Sequence, residues 1–419
     1  MNTSRRQFIT RCTGGVSALA ASQFTNLVFA GPKAGATPQT LVVISLRGGM
    51  DALHLVAPAG DADYIAARPV GLRVTEEGDQ KGLDLGKMDG QSFLLHGTAA
   101  PLLELYQQKH LALIHACGLT NGTRSHFEAM DLMERGVAEM NDKHLATGWL
   151  ARYLAVSPTH SIIPGAAIGG NLPTSLLGSP WAYSLSSPQD FALAAGEETE
   201  AMIHNFYNGN GALEKCGQGA LSALQAVRAK LPRDENGNAK PYEPAARANY
   251  PNDGNTELGR SLKSLAQLLK MDVGIEVATV EMGGYDTHEG QQNRLPELMK
   301  DLAESLNAFW NDVSAYHHQL TVVVVSEFGR RVKSNESDGT DHGLGGLCMV
   351  LGGKVKGGRL LGRWPGLAAE QLDDSADLAV TTDYRAVLSE VLTHNGLVAN
   401  QVAAVLPGYK AQPSLGLFA

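Results

Sequence analysis

Five short runs constrain this chain most, because each is aliphatic on both residue parities: Leu41–Leu46, Leu111–His115, Ile275–Val280, Thr321–Val325 and Leu347–Leu351. A strand that meets solvent on one face alternates apolar with polar residues, whereas an uninterrupted apolar run needs cover on both faces. Between these runs lie helical patterns. Leu258, Leu262, Leu265 and Leu269 recur at helical spacing, as do Leu295, Leu298, Leu302, Leu306, Phe309 and Val313. Strands alternating with amphipathic helices predict an α/β fold, a three-layer α/β/α sandwich around a mainly parallel sheet. The stretch from about 161 to 254 is richer in Gly, Pro and Ser, and reads as a loop-rich insertion or cap above that sheet.

The chain has 419 residues, of which 43% are hydrophobic, enough for a large core and too many for wholesale disorder. Its formal charge of -9, with no Lys/Arg-rich run, argues against a nucleic-acid partner. Residues 1–30 carry Arg5 and Arg6 in Ser-Arg-Arg-Gln-Phe-Ile, then a mildly apolar Ala/Gly/Ser stretch, and end Val28-Phe29-Ala30. That segment resembles a twin-arginine export signal with a small-residue cleavage site, succeeded by a linker over 31–39. It is too short and polar for a stable membrane anchor, so a periplasmic or secreted protein is expected, with the twin-arginine translocation machinery as a partner. Loss of Arg5, Arg6 and Arg11 would take the net charge from -9 to -12. Four widely spaced cysteines exclude a disulfide scaffold and give no metal signal of their own.

In open α/β sheets ligands bind beyond the carboxyl ends of the strands. The residues just after each run are therefore informative: Arg47-Gly48-Gly49-Met50-Asp51, Thr123-Arg124-Ser125-His126, Gly283-Gly284-Tyr285-Asp286-Thr287-His288, and Glu327-Phe328-Gly329-Arg330-Arg331, with Asp341-His342 in a later loop. Acids and histidines converging from several strand ends have the composition of a divalent metal site with mixed oxygen and nitrogen ligands. Singly, each has an ordinary explanation: an Asp after a strand is a common helix cap, and Asp341-His342 fits a turn. Ser125 opens a helical segment, where free N–H groups favour an anion or an activated alkoxide, although Ser is also a standard N-cap there. Arg47, Arg124, Arg330 and Arg331 flank the acids in a way that suits phosphate or sulfate.

In this order, Arg-Gly-Gly-Met-Asp, Arg-Ser-His-Phe, Gly-Gly-Tyr-Asp-Thr-His, Ser-Glu-Phe-Gly-Arg and Gly-Thr-Asp-His-Gly resemble the bacterial domain of unknown function fifteen-oh-one family. The resemblance runs from about Leu41 to the C-terminus, and the family itself looks like a distant member of the alkaline phosphatase and sulfatase superfamily. It implies an alkaline phosphatase-like fold over 40–419 and a metal-dependent hydrolase of phosphate or sulfate esters, acting on an anionic ester substrate. Carried over, the metal ligands would be drawn from Asp51, Asp286, His288, Glu327, Asp341 and His342. Ser125 would be the nucleophile, Arg124 an anion contact and His126 an acid/base. The cofactor would be Zn or Mn, as one ion or two. Phe328 stands where the superfamily has a histidine, and the Asp286/His288 spacing is shorter than the superfamily's, so a non-catalytic periplasmic binding or assembly scaffold is the alternative.

Overall fold

The computed structural model describes residues 39–78, 80–139, 145–157, 161–191 and 196–418. The expected signal segment over 1–30 and the expected linker up to residue 38 lie outside them. Among the described residues no helix is long and apolar enough to cross a membrane.

Nine strands build one sheet: β1 (Thr40–Leu46), β5 (Leu111–Gly118), β6 (Gly165–Ile168), β7 (Ala182–Leu185), β8 (Val277–Met282), β9 (Leu320–Ser326), β12 (Gly346–Gly352), β13 (Arg359–Leu361) and β14 (Thr382–Asp383). Two small sheets lie outside it, one of β2 (Val56–Ala57), β3 (Leu83–Met88) and β4 (Gln91–Leu95), the other a ribbon of β10 (Arg330–Ser334) and β11 (Thr340–His342). The main order is β13-β5-β12-β9-β1-β8-β6-β7, with β14 also on β5. Every pairing is parallel except those of β12, which runs against both β5 and β9. Each apolar run thus forms a strand of a mixed α/β structure with a mainly parallel sheet.

The two parities of β1 show why those runs carry no polar alternation. Val42, Ile44 and Leu46 pack under α3 (Glu257–Lys270) and α4 (Gln291–Asp312). Leu41 and Val43 pack on the other side, under α1 (His126–Arg135), α2 (Trp149–Val156) and α5 (Tyr384–His394). Both faces of the strand are covered, at roughly 1.5–3 kcal/mol for each large aliphatic side chain buried.

The sheet corrects one expectation. The region from 161 to 254 is not only a cap: β6 and β7 lie within it and extend the main sheet parallel to β8. Their sequences, Gly-Ala-Ala-Ile and Ala-Tyr-Ser-Leu, are short and mostly small, so neither shows the β-branched signature that identifies the central strands.

Next to the sheet lie imidazoles that burial keeps neutral. Desolvation pushes His54 down to about 3 and His115 down to about 4, from a usual 6.5. Because the folded values are depressed, the unfolded chain binds more protons between those values and 6.5, and this contribution to stability is complete above pH 6.5 and lost as pH falls. Each histidine is expected to remove about 2 kcal/mol between pH 6.5 and 5. Urea unfolding with chelator present, at pH 7 and pH 5, measures it: a midpoint that does not fall at pH 5 would contradict the burial of neutral imidazoles.

Candidate metal centre

The registers set the site. Leu46 pairs with both Met282 and Ser326, so Arg47, Gly283 and Glu327 leave β1, β8 and β9 side by side on one rim. The loops beyond them pack backbone to backbone. At Gly48, with φ +119°, an added Cβ would lie 2.3 Å from the Asp286 amide nitrogen, and at Gly339 one would lie 2.1 Å from the His288 carbonyl oxygen. No side chain fits in either place. The rim is dense in glycine because loops from distant parts of the chain touch there.

A single arginine ties these loops together. Arg330 is 1% exposed, and its Nε donates to Gly49 O at 2.7 Å, its Nη1 to Thr340 O at 2.6 Å, and its Nη2 to Gly48 O, Tyr285 O and Asp286 Oδ1 at 2.5, 3.0 and 2.6 Å. It is a buried tie and offers nothing to an external phosphate. Nor do the other flanking arginines stand free: Arg47 is ion-paired with Glu134 and Glu281. Arg124 binds Asp377 at 2.5 Å and Asp374 at 3.0 Å, while Arg331 lies 3.7 Å from Asp377. Arg124, expected as an anion contact, is therefore neutralised by acids from another loop.

Three imidazoles and one carboxylate converge above Arg330. Asp286 Oδ1 lies 3.1 Å from both His288 Nε2 and His342 Nε2, and its Oδ2 lies 3.5 Å from His126 Nε2. The two Nε2 atoms of His288 and His342 are 2.8 Å apart. Phe328 is buried beneath, with its ring centroid 4.8 Å from that of His126 and 4.9 Å from that of His342. The aromatic ring in place of a histidine is the floor of the cluster. Single atoms of His126, Asp286 and His342 all lie within 4.8 Å of one another, an arrangement able to hold a metal ion.

The Nδ1 contacts fix the tautomers. His342 Nδ1 faces the Arg124 carbonyl oxygen at 2.8 Å, and a carbonyl can only accept. His288 Nδ1 faces Asp341 Oδ1 at 3.0 Å, and hydrogen bonds from Asn335 and His288 hold the Asp341 carboxyl below its ordinary range. His126 Nδ1 faces Glu327 Oε1 at 2.8 Å, an oxygen that also accepts from Gly48 N–H. In a neutral ring protonated at Nδ1, the Nε2 atom is left with a lone pair, and in all three rings Nε2 is the atom that faces Asp286. His126 Nε2 is buried and has no hydrogen-bond partner among the described residues. Converging lone pairs beside a carboxylate repel one another unless a cation lies among them, and orientation of ligand imidazoles by carboxylates and carbonyls is the usual second layer of a metal site. Burial raises the Asp286 carboxyl, but the hydrogen bond and the charge of Arg330 beside it outweigh that, leaving it at about 2. Burial likewise lowers His342, which keeps its lone pair.

The structure thus redistributes the expected residues. Asp286, His288 and His342 come together, and His126 stands beside them with its Nε2 3.5 Å from Asp286 Oδ2. Glu327 and Asp341 stand one layer out: both oxygens of Glu327 are taken by His126, Gly48 and Ser326, and Asp341 Oδ1 accepts from His288 and Asn335. Asp51 is not at the cluster at all. It is 1% exposed, receives Arg68 Nη1 and Nη2 at 2.6 and 3.0 Å and Gln291 Nε2 at 2.6 Å, and caps the short helix Ala52–Leu55. No local pattern signals this, because Arg68 and Gln291 lie 17 and 240 residues away. Ser125 is the N-cap residue of α1, yet its side chain makes no capping bond; Thr123 Oγ1 accepts the Ser125 N–H at 3.2 Å instead.

An α/β sheet whose rim gathers three histidines and an aspartate defines a candidate metal-centre protein. The chain belongs to the DUF1501 family, described as a protein of unknown function, whose sequence profile matches residues 187–403. No curated protein matches it. Among solved structures it is similar to the integral membrane protein lipooligosaccharide phosphoethanolamine transferase A (EptA) from Neisseria meningitidis, with 9% identity and a TM-score of 0.36 over 83% of this chain. The match spans 55% of that protein's length.

Proposed function

We propose that this chain is an exported, metal-dependent hydrolase of phosphate or sulfate esters with an alkaline phosphatase-like fold, working in the periplasm after twin-arginine export. The observation that carries the metal centre is the common orientation of His126, His288 and His342, each held through Nδ1 so that Nε2 faces Asp286. The donor set of three imidazoles and one carboxylate suits Zn or Mn. One ion fits better than two, because Asp51 and Glu327, the residues a second ion would need, are engaged with Arg68 and with His126 and Gly48. Bound there, a divalent ion would supply Lewis acidity toward an anionic ester.

The chain's own part is set by its contacts. Arg330 and the Nδ1 partners hold the ligand side chains in place before any substrate arrives. Asp286, with its side chain 49% exposed, keeps the centre open to solvent on one side. Ser125 sits at the N-terminus of α1 with its hydroxyl uncommitted to capping, where free N–H groups lower the cost of an alkoxide. Purified mature protein is expected to retain about one Zn or Mn per chain and to hydrolyse aryl phosphates or aryl sulfates. Ser125→Ala should keep the metal and lose turnover. A chain that neither binds metal nor turns over either ester would overturn the proposal. A second reading, a non-catalytic scaffold with one structural metal, is favoured by the capture of Arg124 between Asp377 and Asp374; under it Ser125→Ala changes nothing.

A further inference from the structure

Beneath α1 runs a narrow slot. Its floor is Val43 and Val325 of the sheet, its roof Met130 and Met133 of α1, and its far wall Trp149 and Leu388. Ser45 and Val325 belong to the central strands β1 and β9, yet both are partly exposed, because the slot reaches them. Its cavity volume is ≈ 40 Å³, room for about three water-sized spheres at roughly 10–15 Å³ each.

The slot abuts the candidate metal centre. Glu327 lines it and also holds His126 Nδ1; Arg47 lines it, and its carbonyl accepts the Tyr285 N–H, one residue before Asp286. Every charged group on its walls is already matched. Arg47 is paired with Glu134 and Glu281, and Glu327 accepts from His126, Gly48 and Ser326. None of these groups is left to recognise a charge, and apart from the hydroxyls of Ser45, Ser175, Ser326 and Tyr384 the remaining lining is aliphatic, aromatic and thioether, with methionines that adapt to slender ligands. We infer that this slot is a binding site for an unbranched, uncharged hydrocarbon segment of about three carbons, carried by the molecule whose anionic end is bound at the imidazole cluster. This rests on the metal-centre reading.

Methyl-, ethyl-, propyl- and hexylphosphonate titrated calorimetrically into the metal-loaded chain test it. Affinity is expected to rise about fourfold per added methylene up to propyl, the effect of one buried CH₂, and then to level off. Ser45→Leu should flatten that series while leaving metal content and methylphosphonate affinity unchanged, and Ser45→Val, a milder filling suited to a strand, should flatten it partly. Equal affinities along the series, or a series indifferent to both substitutions, would overturn the link to the cluster. If methylphosphonate fails to bind, the hydrolase reading is at fault, and the slot is then read alone by xenon-129 NMR on the full chain. A xenon-dependent shift abolished by Ser45→Leu supports the slot; no shift in the unsubstituted chain overturns it.

Discussion

Asp51→Ala is expected to cost about 3–5 kcal/mol of stability, the penalty for leaving a buried guanidinium without its carboxylate. Arg68 and Asp51 are both fully buried at the side chain, and two nitrogens of Arg68 meet two oxygens of Asp51. Arg68 gains further acceptors in the carbonyls of Val332 and Arg331, so its charge is held where water cannot reach it. Burial alone would raise the Asp51 carboxyl, but the charge and hydrogen bonds of Arg68 outweigh it and hold it below the ordinary range. With the folded value depressed, this contribution is present above the unfolded value of 3.8 and is lost as pH falls below it. Replacing both partners together, as Asp51→Leu with Arg68→Met, should recover much of the loss, because no charge is then stranded. The measurement is chemical denaturation alongside metal analysis of the folded fraction. Unchanged stability with loss of metal would show Asp51 to be a ligand after all.

The second large effect separates two layers around the proposed metal centre. His342→Ala and Asp286→Ala each remove a donor and are expected to abolish stoichiometric binding. Glu327→Gln and Asp341→Asn keep every donor but loosen the orientation of His126 or His288, and should weaken binding by about 10–100-fold. Competition titration against a chromophoric chelator resolves the two classes. Equal losses in all four variants would place Glu327 and Asp341 among the donors, and the layering would be wrong.

The central sheet was legible because β1, β5, β8, β9 and β12 are covered on both faces, and double cover leaves a continuous apolar run. Strands β6 and β7 escaped notice because Ala166, Ala167 and their neighbours reach their burial through small size and not through branching. The rim itself was legible from the acids and histidines at the strand ends. Their ranking was not, since a carboxylate that binds a metal and one that orients an imidazole are the same residue type. What distinguishes Asp286 from Glu327 is the partner of each oxygen, and among those partners Arg330 lies 44 residues from Asp286 and Gly48 lies 279 residues from Glu327. Phe328 read as a lost ligand, whereas its ring supports two of the imidazoles.

Four of the five acceptors of Arg330 are main-chain oxygens, those of Gly48, Gly49, Tyr285 and Thr340. A main-chain oxygen survives any change of side chain. Tyr285 and Thr340 can therefore drift in identity without loosening the tie, while Arg330 has no substitute, since lysine offers one nitrogen where three are used. The rim is thus unequally permissive to mutation: its geometry depends on one arginine side chain, on the absence of side chains at Gly48 and Gly339, and on chain connectivity.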